Sequence, residues 1–183
     1  MKNKIIAAAL KEMEIHSLRF TMEDLTRRLH IGRNSLYKVV SSKDALIKSV
    51  IDYKTTHFAE CEEKILSGAD DTDTKIKKIL QLYADTFGTM GNHIGRDLQS
   101  MYPDIWQGWQ DFHRRTIHKV IELIKIGTDE GLYRNVNLSV VEEILTVLFE
   151  VLGSAEFLSR TNFPYKEATD AVGDLVLYGL KSR

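Results

Sequence analysis

The chain has little of what would staple, kink or export it. One cysteine, Cys61, stands in 183 residues. That excludes a disulfide framework and leads us to expect a protein of the reducing cytoplasm, with Cys61 as core filling. Only two prolines, Pro103 and Pro164, interrupt the sequence, so helices can run long between them. No apolar run reaches the roughly 18 residues of a membrane span. The apolar stretch 5–10 is cut off by Lys11, Glu12 and Glu14 before it could serve as the core of an export signal. Strand-like alternation is missing, and with it any phosphate-cradling glycine loop that follows a strand. The six histidines show no metal-ligand spacing. His57-x-x-Glu60 reverses the Glu-x-x-His order of helical di-metal sites and stands alone. No catalytic residue, metal site, cofactor or membrane partner is therefore expected.

What is present becomes informative once the charge is divided. The net charge is −1. Residues 1–50 carry ten Lys and Arg against five acids, or +5, while the remainder carries fifteen against twenty-one, or −6. A basic head on an acidic body is the distribution of a polyanion-binding module attached to something else.

Apolar residues recur at helical spacing nearly throughout, and the expected fold class is all-α with about nine helices. Helices are expected at about 3–15, a short second one led by Thr21 with Asp24 three residues on, a short third at about 33–39, and a long fourth capped by Ser42 or Ser41. The fourth carries an inward stripe of Leu46/Ile47, Val50/Ile51, Lys54, Phe58, Cys61 and Ile65, with Lys54 lying along it by its aliphatic stem. A polar break at 67–73 separates these from helices at about 73–90, 93–101, 103–127, 138–160 and 165–181. We expect a basic head domain over 1–50 and a second domain over 51–183.

Two short helices joined by a tight turn in a basic segment are the parts of a helix-turn-helix. The second turns Leu36 inward and presents Arg33, Asn34, Tyr37 and Lys38, with Ser35 at the edge. Arginine and lysine address guanine edges or phosphates, asparagine addresses adenine, and hydroxyls serve either. A solvated helix face has the same composition. A helix of two turns, however, does not stabilise itself in water and must be held by packing.

The run Phe20-Thr21-Met22-Glu23-Asp24-Leu25, then Leu29 to Tyr37, then Ser42-Lys43-Asp44-Ala45-Leu46 resembles the DNA-binding domain of TetR-family regulators. A Gly127-x-x-x-Gly131-x-Tyr133-Arg134 turn is similar to one frequent in that family. The resemblance implies that Thr21 and Lys43 grip phosphates at helix starts, beside Met22 and Ser42. It implies that Tyr37 and Lys38 touch backbone or bases and that Arg33 to Ser35 read the groove. It also implies a double-stranded, palindromic operator and a small, mostly hydrophobic effector that releases a repressor from it. Three departures from the pattern stand out: His30 for the usual turn glycine, Gly32 for a Ser/Thr cap, and Val39-Val40 for an aromatic pair.

In the body, Tyr83, Phe87 and Met90 share a face, as do Leu98, Met101 and Tyr102, and Trp106, Trp109 and His113 continue along the next helix. Together with Phe149 these are the expected pocket wall, with core filling as the alternative at each position. Arg96, Asp97, His113 and Arg114 are candidates to orient the polar end of an effector. The segment 138–160 is apolar nearly all round and must be covered on both sides. Leu145, Leu148, Leu152 and Ala155, with Val172, Leu175 and Val176, are expected to meet their symmetry mates in a four-helix homodimer interface. A helical enzyme, or a structural partner protein with an incidental helix-turn-helix, is the alternative function.

Overall fold

The structure is a computed structural model and describes residues 1–88, 91–152 and 165–181. Among these residues there are nine α-helices: α1 (Lys2–His16), α2 (Met22–Leu29), α3 (Arg33–Tyr37), α4 (Lys43–Ser67), α5 (Thr72–Phe87), α6 (Gly91–Met101), α7 (Pro103–Asp129), α8 (Leu138–Leu152) and α9 (Tyr165–Leu180). A 3-10 turn, Ser17–Arg19, links α1 to α2. The one isolated β-bridge among them joins Tyr133 to Lys181. Among the described residues no helix is long and apolar enough to cross a membrane. The all-α expectation holds, with most helix boundaries within a few residues of those read from periodicity. Pro103 opens α7, where its missing N–H costs nothing. Pro164 lies outside the described residues.

The chain forms two compact units. The first is Met1–Thr56 with Thr89–Trp109, and the second is His57–Gly88 with Gln110–Arg183. A distant segment thus joins the basic head in the first unit. The cause lies in contacts far apart in sequence. α6 packs on the 3-10 turn with Ile94 and Leu98 buried. Tyr102 donates a hydrogen bond to the Asp44 carboxylate, and Arg19 lies 3.9 Å from Asp97.

Within the first unit, Ile5, Ile6, Ala9 and Met13 form the buried face of α1, which packs on α2. Glu12 is buried on that face because Arg28 of α2 donates to its carboxylate, which removes the penalty of an unpaired charge. Leu18, Phe20, Leu25, Leu36, Leu46 and Ile47 complete the core. Lys54 is half-buried, and burial holds its ammonium below the ordinary lysine range, as its place on the apolar stripe requires.

The second unit is built around rings. Phe58 of α4 lies 6.0 Å from Tyr83, 5.7 Å from Phe87 and 5.2 Å from Phe112, centre to centre. Tyr83 continues the cluster to Phe149 at 5.6 Å and His113 at 5.4 Å. On α4 the inward stripe leaves the expected path here: Glu62 is buried, and Cys61 is only half-buried with its Sγ 3.9 Å from His57 Nε2. Lys119 donates to Glu62 at 2.6 Å. Burial still raises the Glu62 carboxyl above the ordinary range, against the pull of that lysine.

The Gly127-x-x-x-Gly131-x-Tyr133-Arg134 turn closes α7. Gly131 has φ +76°, open to glycine at little cost. The Gly127 carbonyl accepts from the amides of Leu132 and Tyr133. The Tyr133 ring lies against Gly127, so that a Cβ there would overlap it. Tyr133 donates its hydroxyl to Asp73 on α5, while the Arg134 amide and guanidinium donate to the carbonyls of Leu180 and Gly179. The turn therefore clips the ends of α5 and α9 together. Gly127→Ala is expected to destabilise the protein by about 1–3 kcal/mol through overpacking, since the ring is buried and held by its hydroxyl. Urea unfolding of that variant, beside Gly131→Ala as a test of the backbone contribution, would check it.

Candidate functional site

The two helices of the expected reader owe their ends to local hydrogen bonds. Thr21 caps α2: its Oγ1 accepts from the Asp24 amide at 3.2 Å, and Asp24 accepts from the Thr21 amide at 2.8 Å. Both arms of a capping box are therefore made. That backbone hydrogen bond, before any neighbouring charge, holds the Asp24 carboxyl below the ordinary range. α2 ends at His30, which adopts the left-handed conformation with φ 52°. A side chain thus occupies the turn usually given to glycine, and it is tolerated because His30 is exposed to solvent. Gly32 starts α3 in extended backbone without a side-chain cap. Of the two candidate serines, Ser42 caps α4, accepting from the Ala45 amide at 3.1 Å.

α3 is a single buried anchor with an exposed arc. Leu36 is fully buried, whereas Arg33, Asn34, Ser35, Tyr37 and Lys38 are exposed, as helical spacing predicts. The Arg33 guanidinium lies 5.6 Å from the centre of the Tyr37 ring, which pre-positions both groups. Below Leu36, Val40 is buried and Val39 partly exposed, so one valine does the packing of the usual aromatic pair. Thr21, Met22, Arg33, Tyr37 and Lys43 line one open depression of about 420 Å³, joined by Arg19. Arg19 escaped the sequence reading because it lies in the 3-10 turn, outside both helices. Asn34, Ser35, Lys38 and Ser42 are exposed on α3 and just before α4.

Lys43 has partners within the first unit. Its Nζ donates to the Leu18 carbonyl at 2.6 Å and lies 4.9 Å from the centre of the Phe20 ring. Burial lowers its affinity for the proton. It therefore ties the 3-10 turn to the start of α4.

The expected pocket residues separate. Tyr83, Phe87, His113 and Phe149 meet in the second unit, where Phe58 and Phe112 join them. Leu98, Met101, Tyr102, Trp106 and Trp109 belong to the first unit. Leu98 is buried there, Met101 is exposed, and Trp106 approaches Gly95. Met90 lies outside the described residues. Helical spacing places residues on faces, but it does not say which unit a helix joins. The space among Ile79, Leu80, Tyr83, His113, Thr116, Ile117, Val120, Leu145 and Phe149 amounts to about 10 Å³. His113 is buried, and among the described residues neither of its ring nitrogens has a hydrogen-bond partner. Of the other candidates for a polar end, Arg96 and Asp97 lie in the first unit. Arg114 is exposed and lies 3.5 Å from Asp111.

On α8 the faces are rotated from the expectation. Leu145 and Leu152 turn into the core of the second unit, 2% and 5% exposed. The outward apolar stripe is Val140, Ile144, Val147 and Val151. Leu148, Val172 and Val176 are half-buried, and Leu175 is exposed as expected with Tyr178 beside it. Ala155 lies outside the described residues. A helix apolar all round offers no stripe from which to choose a face, so packing against α9 and the aromatic cluster decides it.

No family model matches the chain. It is 20% identical over 181 residues to YvaF of Bacillus subtilis (strain 168), an uncharacterized HTH-type transcriptional regulator, covering 98% of this chain and 95% of that protein. Among solved structures it is similar to PfmR, a TetR family transcriptional regulator from Thermus thermophilus, at 18% identity. The match covers 97% of this chain and 99% of that chain, with a TM-score of 0.73. It is similar also to the fatty acid degradation regulator FadR from Bacillus halodurans, at 13% identity, covering 100% of this chain and 97% of that one, with a TM-score of 0.76. All three are named as regulators and none as an enzyme. With its helix order matched over nearly the full length, the chain has the all-α fold of the TetR-family transcriptional regulators.

Proposed function

We propose that the protein is a sequence-specific, DNA-binding transcriptional regulator that acts as a homodimer, a repressor released from a palindromic operator by a mostly hydrophobic effector. The observation that carries this reading is the α2–α3 pair: a five-residue helix anchored by Leu36 that exposes Arg33, Asn34, Ser35, Tyr37 and Lys38. Phosphate contacts are assigned to Arg19, Thr21 and Lys38, and base contacts to Arg33 and Asn34. Affinity for DNA should then fall steeply as salt rises, because bound phosphates release counterions. Arg33→Ala or Asn34→Ala should cost about 1–3 kcal/mol at one base pair, whereas Lys38→Ala should weaken all sequences alike and flatten the salt slope. Selection of bound fragments from random DNA, followed by titration at several salt concentrations, tests this. A salt-independent interaction would contradict it.

The homodimer is supported by the second unit. The Val140, Ile144, Val147 and Val151 stripe of α8 stands about half exposed, and on neighbouring α9 Leu175 and Tyr178 are 74% and 71% exposed. An apolar face of this kind calls for cover, and a self-complementary pairing of two helices with two is an economical way to supply it. A dimer also sets two reading helices about 34–36 Å apart on adjacent major grooves. Ile144→Glu is expected to keep the helical content, yield a monomer by light scattering, and abolish operator binding. A wild-type protein that runs as a monomer would refute the proposal.

A further inference from the structure

Among the described residues lining the second unit's cavity, His113 is the polar side chain whose needs are unmet. It is 9% exposed, sits between Tyr83 and Phe149, and neither Nδ1 nor Nε2 has a partner among the described residues. A neutral imidazole offers one donor and one acceptor, and leaving both unmade in an apolar setting is costly. The hydroxyl of Thr116, in the same wall, is spent on its own helix, donating to the Phe112 carbonyl. Among the described residues no carboxylate, ammonium or guanidinium lines the space. The charges on the surrounding helices are engaged elsewhere: Lys119 with Glu62, Lys77 with Asp174, Lys78 with Asp70, and Glu142 with His118.

We propose that His113 is the polar anchor of a ligand site among α5, α7 and α8, and that its ligand is a small, uncharged, largely apolar molecule with one hydroxyl or carbonyl group. The hydrophobic wall takes the body of the ligand, and the imidazole takes its single polar group. An anion is disfavoured: no cation lines the space among the described residues, and burial works against protonating the imidazole to supply one. The space of about 10 Å³ holds roughly one water-sized sphere, so a ligand enters by parting the aromatic side chains. A compact body is therefore favoured over a long chain. The proposal rests on the regulator reading only for the consequence of binding, which is release of DNA.

The test uses the full chain without DNA and three probes on one skeleton: toluene, benzyl alcohol and benzoate. By calorimetry, benzyl alcohol is expected to bind at least about tenfold more tightly than benzoate. It should also move the side-chain nitrogen resonances of His113, a readout that needs no variant. In His113→Leu, benzyl alcohol should weaken by about fivefold or more while toluene is unchanged or tighter. Equal or tighter binding of benzoate, a His113 resonance that does not move, or failure of all three probes to bind at millimolar concentration overturns the proposal, and a single buried water is then the ring's partner. DNA retention is measured in parallel. A protein that retains DNA but binds no probe loses this site and keeps the regulator reading. One that binds benzyl alcohol at His113 but retains no DNA keeps the site and loses that reading.

Discussion

Phe58→Ala is expected to lower the unfolding free energy by about 3–5 kcal/mol, the range for emptying a large aromatic position in a core. Phe58 is fully buried, and three rings from two other helices surround it at 5.2–6.0 Å. Relaxation cannot fill the space, because those rings also hold one another: Tyr83 with Phe87 at 5.0 Å and Phe87 with Phe112 at 5.5 Å. The cavity term therefore adds to the lost transfer energy instead of being recovered. Phe58→Leu should cost distinctly less, since most of the volume stays. In urea the midpoint should fall with the slope unchanged. A loss below about 1 kcal/mol would mean that the cluster is not packed as described.

Acidification from pH 7 to 4 should remove about 3 kcal/mol of stability through His113 alone. Burial holds its imidazole at about 4, against an ordinary value of 6.5. In the unfolded chain the ring takes up a proton below pH 6.5, whereas in the folded chain it does not until about pH 4. The unfolded state therefore binds more protons across that window, and stability falls as pH drops through it. Above the ordinary histidine range the contribution is complete. Glu62, whose carboxyl burial raises, acts in the opposite sense, and Asp24 and Asp73, both lowered, lose their contribution only at the acidic end. Subtracting the curve of His113→Leu isolates the histidine. That variant should be at least as stable at pH 7, because it removes two unpartnered nitrogens from an apolar wall. Parallel pH profiles for the two proteins would refute the assignment.

Interactions that span four residues or fewer are legible in the chain itself. Thr21 and Ser42 as caps, Pro103 as the first residue of a helix, and the outward arc of Arg33, Asn34, Tyr37 and Lys38 over Leu36 all follow from hydrogen bonds and side-chain directions within one helical turn. The resemblance carried by residues 20–46 extended correctly to the fold, because the remaining described helices followed in the expected order. Partners distant in sequence were not legible. Lys43 reaches back to the carbonyl of Leu18, Glu62 on α4 is buried against Lys119 on α7, and α6 with the Tyr102 that follows it joins the first unit, burying Ile94 and Leu98. Residue type alone states only that a lysine wants an acceptor; tertiary structure decides which one lies nearest. The same division explains α8. Its composition dictated a helix covered on two sides, but one residue of rotation turns a helix by about 100°, and only the packed rings beneath it decided that Leu145 and Leu152 face inward while Ile144 and Val151 face out.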